Sequence, residues 1–266
     1  MKVVLFCGGL GLRMREAADR IPKPMVPIGT RPILWHVMKY FSHFGHNDFI
    51  LCLGHRAEVI KDFFLHYDEA VSNDFVLSRG GSEIELLQSD ISEWRITFVD
   101  TGLKASVGER LRAVREHLDG EETFLANYGD TLTDAPLNQM IDNLERTDKV
   151  AQFLAVRPSY TFHTVTFGEG ELVEEIRDVT QSAIWINGGY FVFRRELFDY
   201  LEPGEDLVHE PFHRLIAADG LLGYRHEGFW APMDTLKDKT ALEAMLESGS
   251  TPWRVWRTQN GDAGGE

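Results

Sequence analysis

The chemistry-bearing residues cluster near the start of the chain. Val3-Val4-Leu5-Phe6-Cys7 is an apolar run that enters Gly8-Gly9-Leu10-Gly11-Leu12-Arg13, and Lys23 follows between Pro22 and Pro24. Glycines let backbone N–H groups approach a phosphate closely, because no Cβ stands in the way. Arg13 and Lys23 add fixed positive charge beside those amides. The combination suits a nucleoside triphosphate. A glycine-rich turn alone, or a Pro-Lys-Pro alone, marks only a loop; it is their joint order after a strand that points to a ligand. Two other phosphate motifs are excluded. The dinucleotide fingerprint needs a third glycine where Met14 stands, and the P-loop needs a Gly-Lys-Ser/Thr that this stretch lacks.

A triphosphate reaction calls for a divalent cation, and Mg²⁺ takes one or two carboxylates together with phosphate oxygens and water. Asp130 is the first candidate, because the apolar run Thr123–Tyr128 delivers it at a strand end. Asp234 is the second. It lies in Gly228-Phe229-Trp230-Ala231-Pro232-Met233-Asp234-Thr235, an apolar and aromatic setting for a carboxylate. A helix follows, so Asp234 reads equally well as that helix's N-cap. His209-Glu210-Pro211-Phe212-His213 satisfies the zinc-protease pattern His-Glu-x-x-His. Pro211 allows only the start of a helix there, so the segment reads as structural.

These residues need a scaffold. Residues 2–7, Phe49–Leu53, Ile96–Val99, Thr123–Tyr128 and Ala151–Arg157 read as strands. Residues 32–45, Ala57–His66, 106–118 and Leu137–Arg146 read as helices, the first with Ile33, Leu34, Val37, Met38 and Phe41 on one side. Such alternation predicts right-handed βαβ units, an α/β fold with a mostly parallel central sheet flanked by helices. Residues 68–94 read as a flap or small β excursion, and 162–177 as two exposed strands. Gly188–Phe193 and Leu221–His226 read as strands, and Leu207–Ala218 and Asp238–Glu247 as helices. Residues 1–256 are expected to form one domain, and 257–266, glycine-rich and polar, a disordered tail. Ligands of such sheets bind beyond the carboxyl ends of the strands, where Gly8–Arg13 and Asp130 both fall.

Composition narrows the partners. The 266 residues are 43 % hydrophobic and 26 % charged, ordinary for a soluble globular protein. Net charge is −15, which argues against nucleic acid and anionic membranes. Residues 1–40 hold seven basic side chains (Lys2, Arg13, Arg15, Arg20, Lys23, Arg31, Lys39) and two acidic ones, a net +5, so the remainder carries −20. A locally positive segment in an acidic protein suits a small polyanion. Cys7 and Cys52 sit in apolar runs and read as buried free thiols in a reducing, cytoplasmic setting. No apolar stretch approaches a membrane span, and no secretory signal is expected.

At this point the chain resembles the sugar-1-phosphate nucleotidylyltransferases, whose fold is Rossmann-like. The residues that carry the resemblance are Gly8–Arg13, Pro22-Lys23-Pro24-Met25-Val26-Pro27-Ile28-Gly29, Pro32-Ile33-Leu34-Trp35-His36, Val99-Asp100-Thr101-Gly102 and Tyr128-Gly129-Asp130. Trp185-Ile186-Asn187-Gly188-Gly189-Tyr190-Phe191, Gly228-Phe229-Trp230 with Met233–Lys239, and Pro252-Trp253 point to the cytidylyl branch that uses glucose 1-phosphate. The resemblance implies that Gly8, Gly9 and Gly11 cradle the nucleotide, that Arg13 and Lys23 contact its phosphates, and that Asp130 and Asp234 hold Mg²⁺. The implied nucleotide site also takes in Leu5, Arg110 and Gly129, and the implied sugar pocket Asn187 and Gly188. The family forms homo-oligomers.

Three segments depart from the family. Ala105-Ser106-Val107-Gly108-Glu109-Arg110 replaces Thr-Met-Thr-Gly-Gly-Arg, and Tyr160-Thr161-Phe162-His163 replaces Gly-Arg-Phe-Gly. Where the family has Glu-Lys-Pro, whose lysine meets the sugar phosphate, this chain has Ile176-Arg177-Asp178-Val179-Thr180; Arg177 is the cation placed to substitute. The phosphate and metal residues are kept, so the expected reaction is transfer of a nucleotidyl group, CMP from CTP, to a sugar phosphate other than glucose 1-phosphate. The rival expectation is a non-catalytic nucleotide or sugar-phosphate sensor on the same fold. Retention of both carboxylates with Arg13 and Lys23 counts against it.

Overall fold

The computed structural model describes residues 1–9, 21–158, 162–181 and 183–256. Gly11, Arg13 and the 257–266 tail lie outside the described residues, as do Tyr160 and Thr161. The frame is a seven-stranded sheet. In chain order its strands are β1 (Lys2–Phe6) and β2 (Asp48–Leu53), then β5 (Arg95–Asp100), β6 (Thr123–Asn127), β8 (Ala151–Val156), β11 (Ile186–Arg194) and β12 (Leu221–His226). Between them come the hairpin β3 (Phe75–Ser78) and β4 (Glu83–Leu86), the short β7 (Thr131–Thr133), and the hairpin β9 (His163–Phe167) and β10 (Val173–Asp178). The sheet order is β12-β8-β11-β6-β1-β2-β5.

Both faces of the sheet are covered, which is why its strands read as continuous apolar runs. Along β1, Val3, Leu5 and Cys7 enter one core while Val4 and Phe6 enter the other. The first core is roofed by α1 (Ile33–His43), α2 (Ala57–Leu65) and α4 (Leu137–Glu145). The second is roofed by α3 (Val107–Ala113) and α5 (Glu210–Ala217). Leu5, which the resemblance assigns to the nucleotide, is fully buried in the first core, with its backbone paired to β2 and β6. Its side chain packs the core beneath the sheet.

Every neighbouring pair in the sheet is parallel except those of β11, which runs antiparallel to β6 and β8. A parallel neighbour needs a crossover, usually a helix. Between β8 and β11 the described residues form the β9–β10 hairpin with short 3-10 turns and no α-helix, and the chain returns from the same end, so β11 runs backwards. The 68–94 excursion contains the β3–β4 hairpin. Arg31 and Lys39 on the α1 side tie it down by ion pairs to Asp90 (2.9 and 3.7 Å). Two of the N-terminal basic residues therefore fasten the excursion. The segment His209–His213 does begin α5, with Pro211 in its first turn.

Helix α1 buries eight of its eleven residues, more than a one-sided pattern predicts. Trp253 and Trp256 close over its second side, edge-on or tilted against Trp35 and His36. His36 is fully buried, and its Nε2–H donates to the Ile28 carbonyl (3.3 Å) while Nδ1 has no partner. Burial, helped by the Arg254 guanidinium, pulls its pKa down to about 3. Above pH 6.5 both folded and unfolded imidazoles are neutral and the group adds no pH dependence. Below 6.5 the unfolded chain takes up a proton that the folded chain refuses until about pH 3. Stability should therefore fall on acidification through that window, by up to about 1.4 kcal/mol per pH unit. Urea melts at pH 7, 5 and 4 check this. His36→Gln should flatten the acid limb, and an unchanged limb would count against the assignment.

Cys7 and Cys52 are free and buried. Burial pushes the Cys52 thiol up to about 12, and Cys7 upward as well. No helix among the described residues is long and apolar enough to cross a membrane.

Candidate active site

The carboxyl ends of β1, β2 and β6 form the floor of a crevice. Beyond β1, the Cys7 N–H donates to the Cys52 carbonyl (3.0 Å) and the chain turns at Gly8. A Cβ on Gly8 would lie 2.0 Å from Arg110 Nη1, so a side chain there would have to displace that guanidinium. Arg110 comes from α3, whose N-cap Ser106 forms a capping box with Glu109. It is 4 % exposed and donates to the carbonyls of Gly8 (2.9 Å) and Leu53 (3.1 Å) and to Thr101 Oγ1 (2.7 Å). Arg110 thus stitches three strand-end segments together beneath the ligand space.

Asp130 is set by a turn after β6. The Asn127 carboxamide oxygen accepts the Gly129 N–H (2.6 Å), and its Nδ2 donates to the Gly189 carbonyl (3.0 Å). Gly129 has φ +78°, a conformation that glycine adopts without strain. Asp234 arrives from β13 (Trp230–Pro232), which pairs antiparallel with β7, and the Met233 N–H donates to the Asp130 carbonyl (2.9 Å). Asp234 is not a cap. Thr235 caps α6 (Leu236–Glu247) in a box with Asp238, which leaves the Asp234 carboxylate directed at Lys23. Lys23 opens a single 3-10 turn held by Pro22 and Pro24. Its Nζ pairs with Asp130 Oδ2 (2.6 Å) and with Asp234 Oδ1.

Burial pushes the Asp130 carboxyl upward, against the pull of the Lys23 ammonium, and the second carboxylate adds to the rise. Lys23 moves upward too, because its two carboxylate partners outweigh the cost of its own burial. Two carboxylates face one ammonium, a local charge of −1. The ammonium stands between the two acids as a monovalent cation would. That donor set fits Mg²⁺, which would draw its remaining ligands from phosphate and water. Among the described residues no cluster of three or more acidic, histidine or cysteine side chains could hold a metal by itself.

Two cavities meet at this cluster, and both are lined by Tyr128 and Asp130. The first, about 310 Å³, adds Gly9, Lys23, Ser106, Arg110 and Asp206. The second, about 240 Å³, adds Asn187, Gly188, Trp230 and Asp234. Asn187 Nδ2 donates to the Tyr128 hydroxyl (3.1 Å), and Trp230 Nε1 donates to the Gly188 carbonyl (2.8 Å). A Cβ on Gly188 would come within 3.2 Å of that indole nitrogen. A larger cavity of about 750 Å³ lies elsewhere, around Asp90, so size alone does not mark the site.

Gly8, Gly9, Lys23, Arg110, Gly129, Asp130, Asn187, Gly188 and Asp234 therefore converge on one place. Arg177 does not. It lies on the exposed β9–β10 hairpin, pairs with Glu175, and lines neither cavity. Tyr128 and Trp230 were not singled out from the sequence, although both stand inside the quoted motifs beside the acidic residues. Asp206 carried no sequence signal.

Comparison with known proteins identifies the family. The family described as Nucleotidyl transferase matches residues 2–235. The glucose-1-phosphate cytidylyltransferase of Salmonella typhimurium is 36 % identical over 257 residues, covering 96 % of this chain and 100 % of that protein. A probable glucose-1-phosphate cytidylyltransferase of Bacillus subtilis is 37 % identical over 258 residues, covering 96 % and 100 %. Among solved structures, an apo UDP-glucose pyrophosphorylase superposes with TM-score 0.69 over 94 % of this chain and 100 % of that one, at 15 % identity. That last likeness speaks for the Rossmann-like fold. The chain belongs to the nucleotidyl transferase family and is an enzyme of that class.

Proposed function

We propose that this enzyme transfers CMP from CTP to a sugar 1-phosphate and releases pyrophosphate, with Mg²⁺ as cofactor. The observation that carries the reading is the junction of two cavities at Lys23, Asp130 and Asp234. One cavity takes the triphosphate, the other the acceptor, and the reacting phosphorus sits where they meet. An acceptor phosphate oxygen forms the new bond to the α-phosphorus as the bond to pyrophosphate breaks. The attacking oxygen is already an anion, so no general base is required. Catalysis is positioning and charge neutralisation. Asp130 and Asp234 would hold Mg²⁺, which neutralises phosphate charge when bound. Lys23 supplies charge at the same point, Arg110 keeps the floor rigid, and Asn187 and Trp230 shape the acceptor wall. Cytidine is favoured because two relatives at 36 % and 37 % identity over 96 % of this chain carry cytidylyltransferase names.

The acceptor is proposed to differ from glucose 1-phosphate. Arg177, the expected stand-in for the family's lysine, is committed to Glu175 on an outer hairpin. A lost charged contact to the acceptor phosphate weakens efficiency by roughly ten- to a hundredfold. The test is pyrophosphate release from four nucleoside triphosphates against a panel of sugar phosphates. CTP should lead, and glucose 1-phosphate should fall below about 10⁴ M⁻¹s⁻¹ in kcat/KM. A higher value with glucose 1-phosphate would show it to be a normal acceptor.

The enzyme is also proposed to work as a homo-oligomer. The β9–β10 hairpin exposes Phe167 (63 %) and Ile176 (62 %), and the β3–β4 hairpin exposes Leu77 (58 %) and Ile84 (57 %). A two-stranded hairpin is marginal alone, and apolar faces of this kind mark contact surfaces. Sedimentation velocity should show an assembly that Ile176→Glu or Leu77→Glu weakens. A monomer at micromolar concentration would overturn the idea.

A further inference from the structure

Asp234 and Trp230 reach the site on one short strand, and three residues decide where that strand starts. β12 ends at His226, and Glu227-Gly228-Phe229 leads into β13. This turn is locked onto Asp134, which follows β7. Asp134 Oδ1 accepts both the Phe229 N–H (2.8 Å) and His226 Nε2–H (2.7 Å). The Asp134 N–H donates back to the Phe229 carbonyl (3.2 Å), which also accepts the Thr133 hydroxyl (2.8 Å). A Cβ on Gly228 would sit 2.6 Å from His226 Cε1 and 2.7 Å from Asp134 Oδ1, so a side chain here would have to push those two groups aside. From this lock the ladder runs Trp230↔Thr133, Ala231↔Leu132, Pro232↔Thr131, and the Met233 N–H reaches the Asp130 carbonyl.

β13 is only three residues long, so its register has little support of its own. A slip of one residue would turn each of its side chains to the opposite face. The lock fixes the register at one end and Met233 fixes it at the other. We propose that Asp134 and His226 are positioning residues. They set the depth of β13, and through it both the acceptor wall at Trp230 and the carboxylate of Asp234. The proposal rests on the reading of Asp234 as a metal-holding group. Neither Asp134 nor His226 lines the cavities.

The test measures Mn²⁺ binding by calorimetry on the purified enzyme saturated with a non-hydrolysable CTP analogue, against the analogue alone, beside steady-state kinetics. Asp134→Ala should weaken Mn²⁺ affinity at least tenfold and raise KM for the sugar phosphate, while KM for the triphosphate stays within about twofold. Asp134→Asn keeps an Oδ1 acceptor and should restore both values. Gly228→Ala, which forces Asp134 and His226 apart, should repeat the Asp134→Ala pattern. Thermal melts identify the folded fraction, and all values are taken per folded molecule. If Asp134→Ala lowers only the melting temperature and leaves Mn²⁺ affinity and acceptor KM unchanged, the lock is merely structural and the proposal fails. If the wild-type enzyme itself binds no Mn²⁺, the metal reading of Asp234 fails first and this inference falls with it.

Discussion

Asp130→Asn and Asp234→Asn are each expected to lower turnover by at least 100-fold at saturating substrates while the protein stays folded. The magnitude follows from losing one of two carboxylates around a cation that must neutralise several phosphate charges, a term worth several kcal/mol in the transition state. Persistence of the fold has a separate reason. Asp130 is pushed toward its neutral form by burial, and the two acids repel one another across Lys23. A neutral amide relieves that repulsion and leaves Lys23 one carboxylate partner. The melting temperature should therefore hold or rise as activity falls. The check is kcat against Mg²⁺ concentration together with a thermal melt of each variant. Near-normal turnover in both variants at limiting Mg²⁺ would remove these residues from the metal site.

Lys23→Ala is expected to lower kcat by about 100-fold with a smaller rise in KM for the triphosphate. Pro22 and Pro24 hold the lysine in one short turn, so its ammonium is placed before substrate arrives. A preplaced charge contributes most where negative charge shifts, at the α-phosphorus in the transition state. Among the described residues lining the cavity that contains Lys23 the other cation is Arg110, and its donors are held by Gly8, Leu53 and Thr101. Among the described residues of that cavity, none is left to take over. A rise in KM alone, with kcat preserved, would reduce Lys23 to a binding residue. Lys23→Arg should recover little, because the longer, planar guanidinium does not place its charge where the compact ammonium does.

Much of this enzyme was legible in order along the chain. The apolar strands, the glycine turn at Gly8-Gly9, the Pro-Lys-Pro segment and the carboxylates Asp130 and Asp234 are local features. Backbone geometry and burial of both sheet faces act on neighbouring residues, so a linear reading captures them. The sheet's parallel core followed from alternating strands and helices, whereas the reversal of β11 depended on what joins it to β8. The doubled burial of α1 was hidden because its second roof, Trp253 and Trp256, comes some 200 residues later.

The sequence by itself determined which residue types could gather at the candidate site and the strand ends that present them. Tertiary structure decided which of them meet. It brought Asp234 across to Lys23 and took the N-cap role from it, because Thr235 and Asp238 satisfy the helix end between themselves. It turned Arg31 and Lys39 away to Asp90, buried Leu5, and left Arg177 on an outer hairpin with Glu175. A charge in a sequence has no address. Its partner is whichever opposite charge the packed chain brings within a few ångströms, and that distance exists only once the sheet has closed.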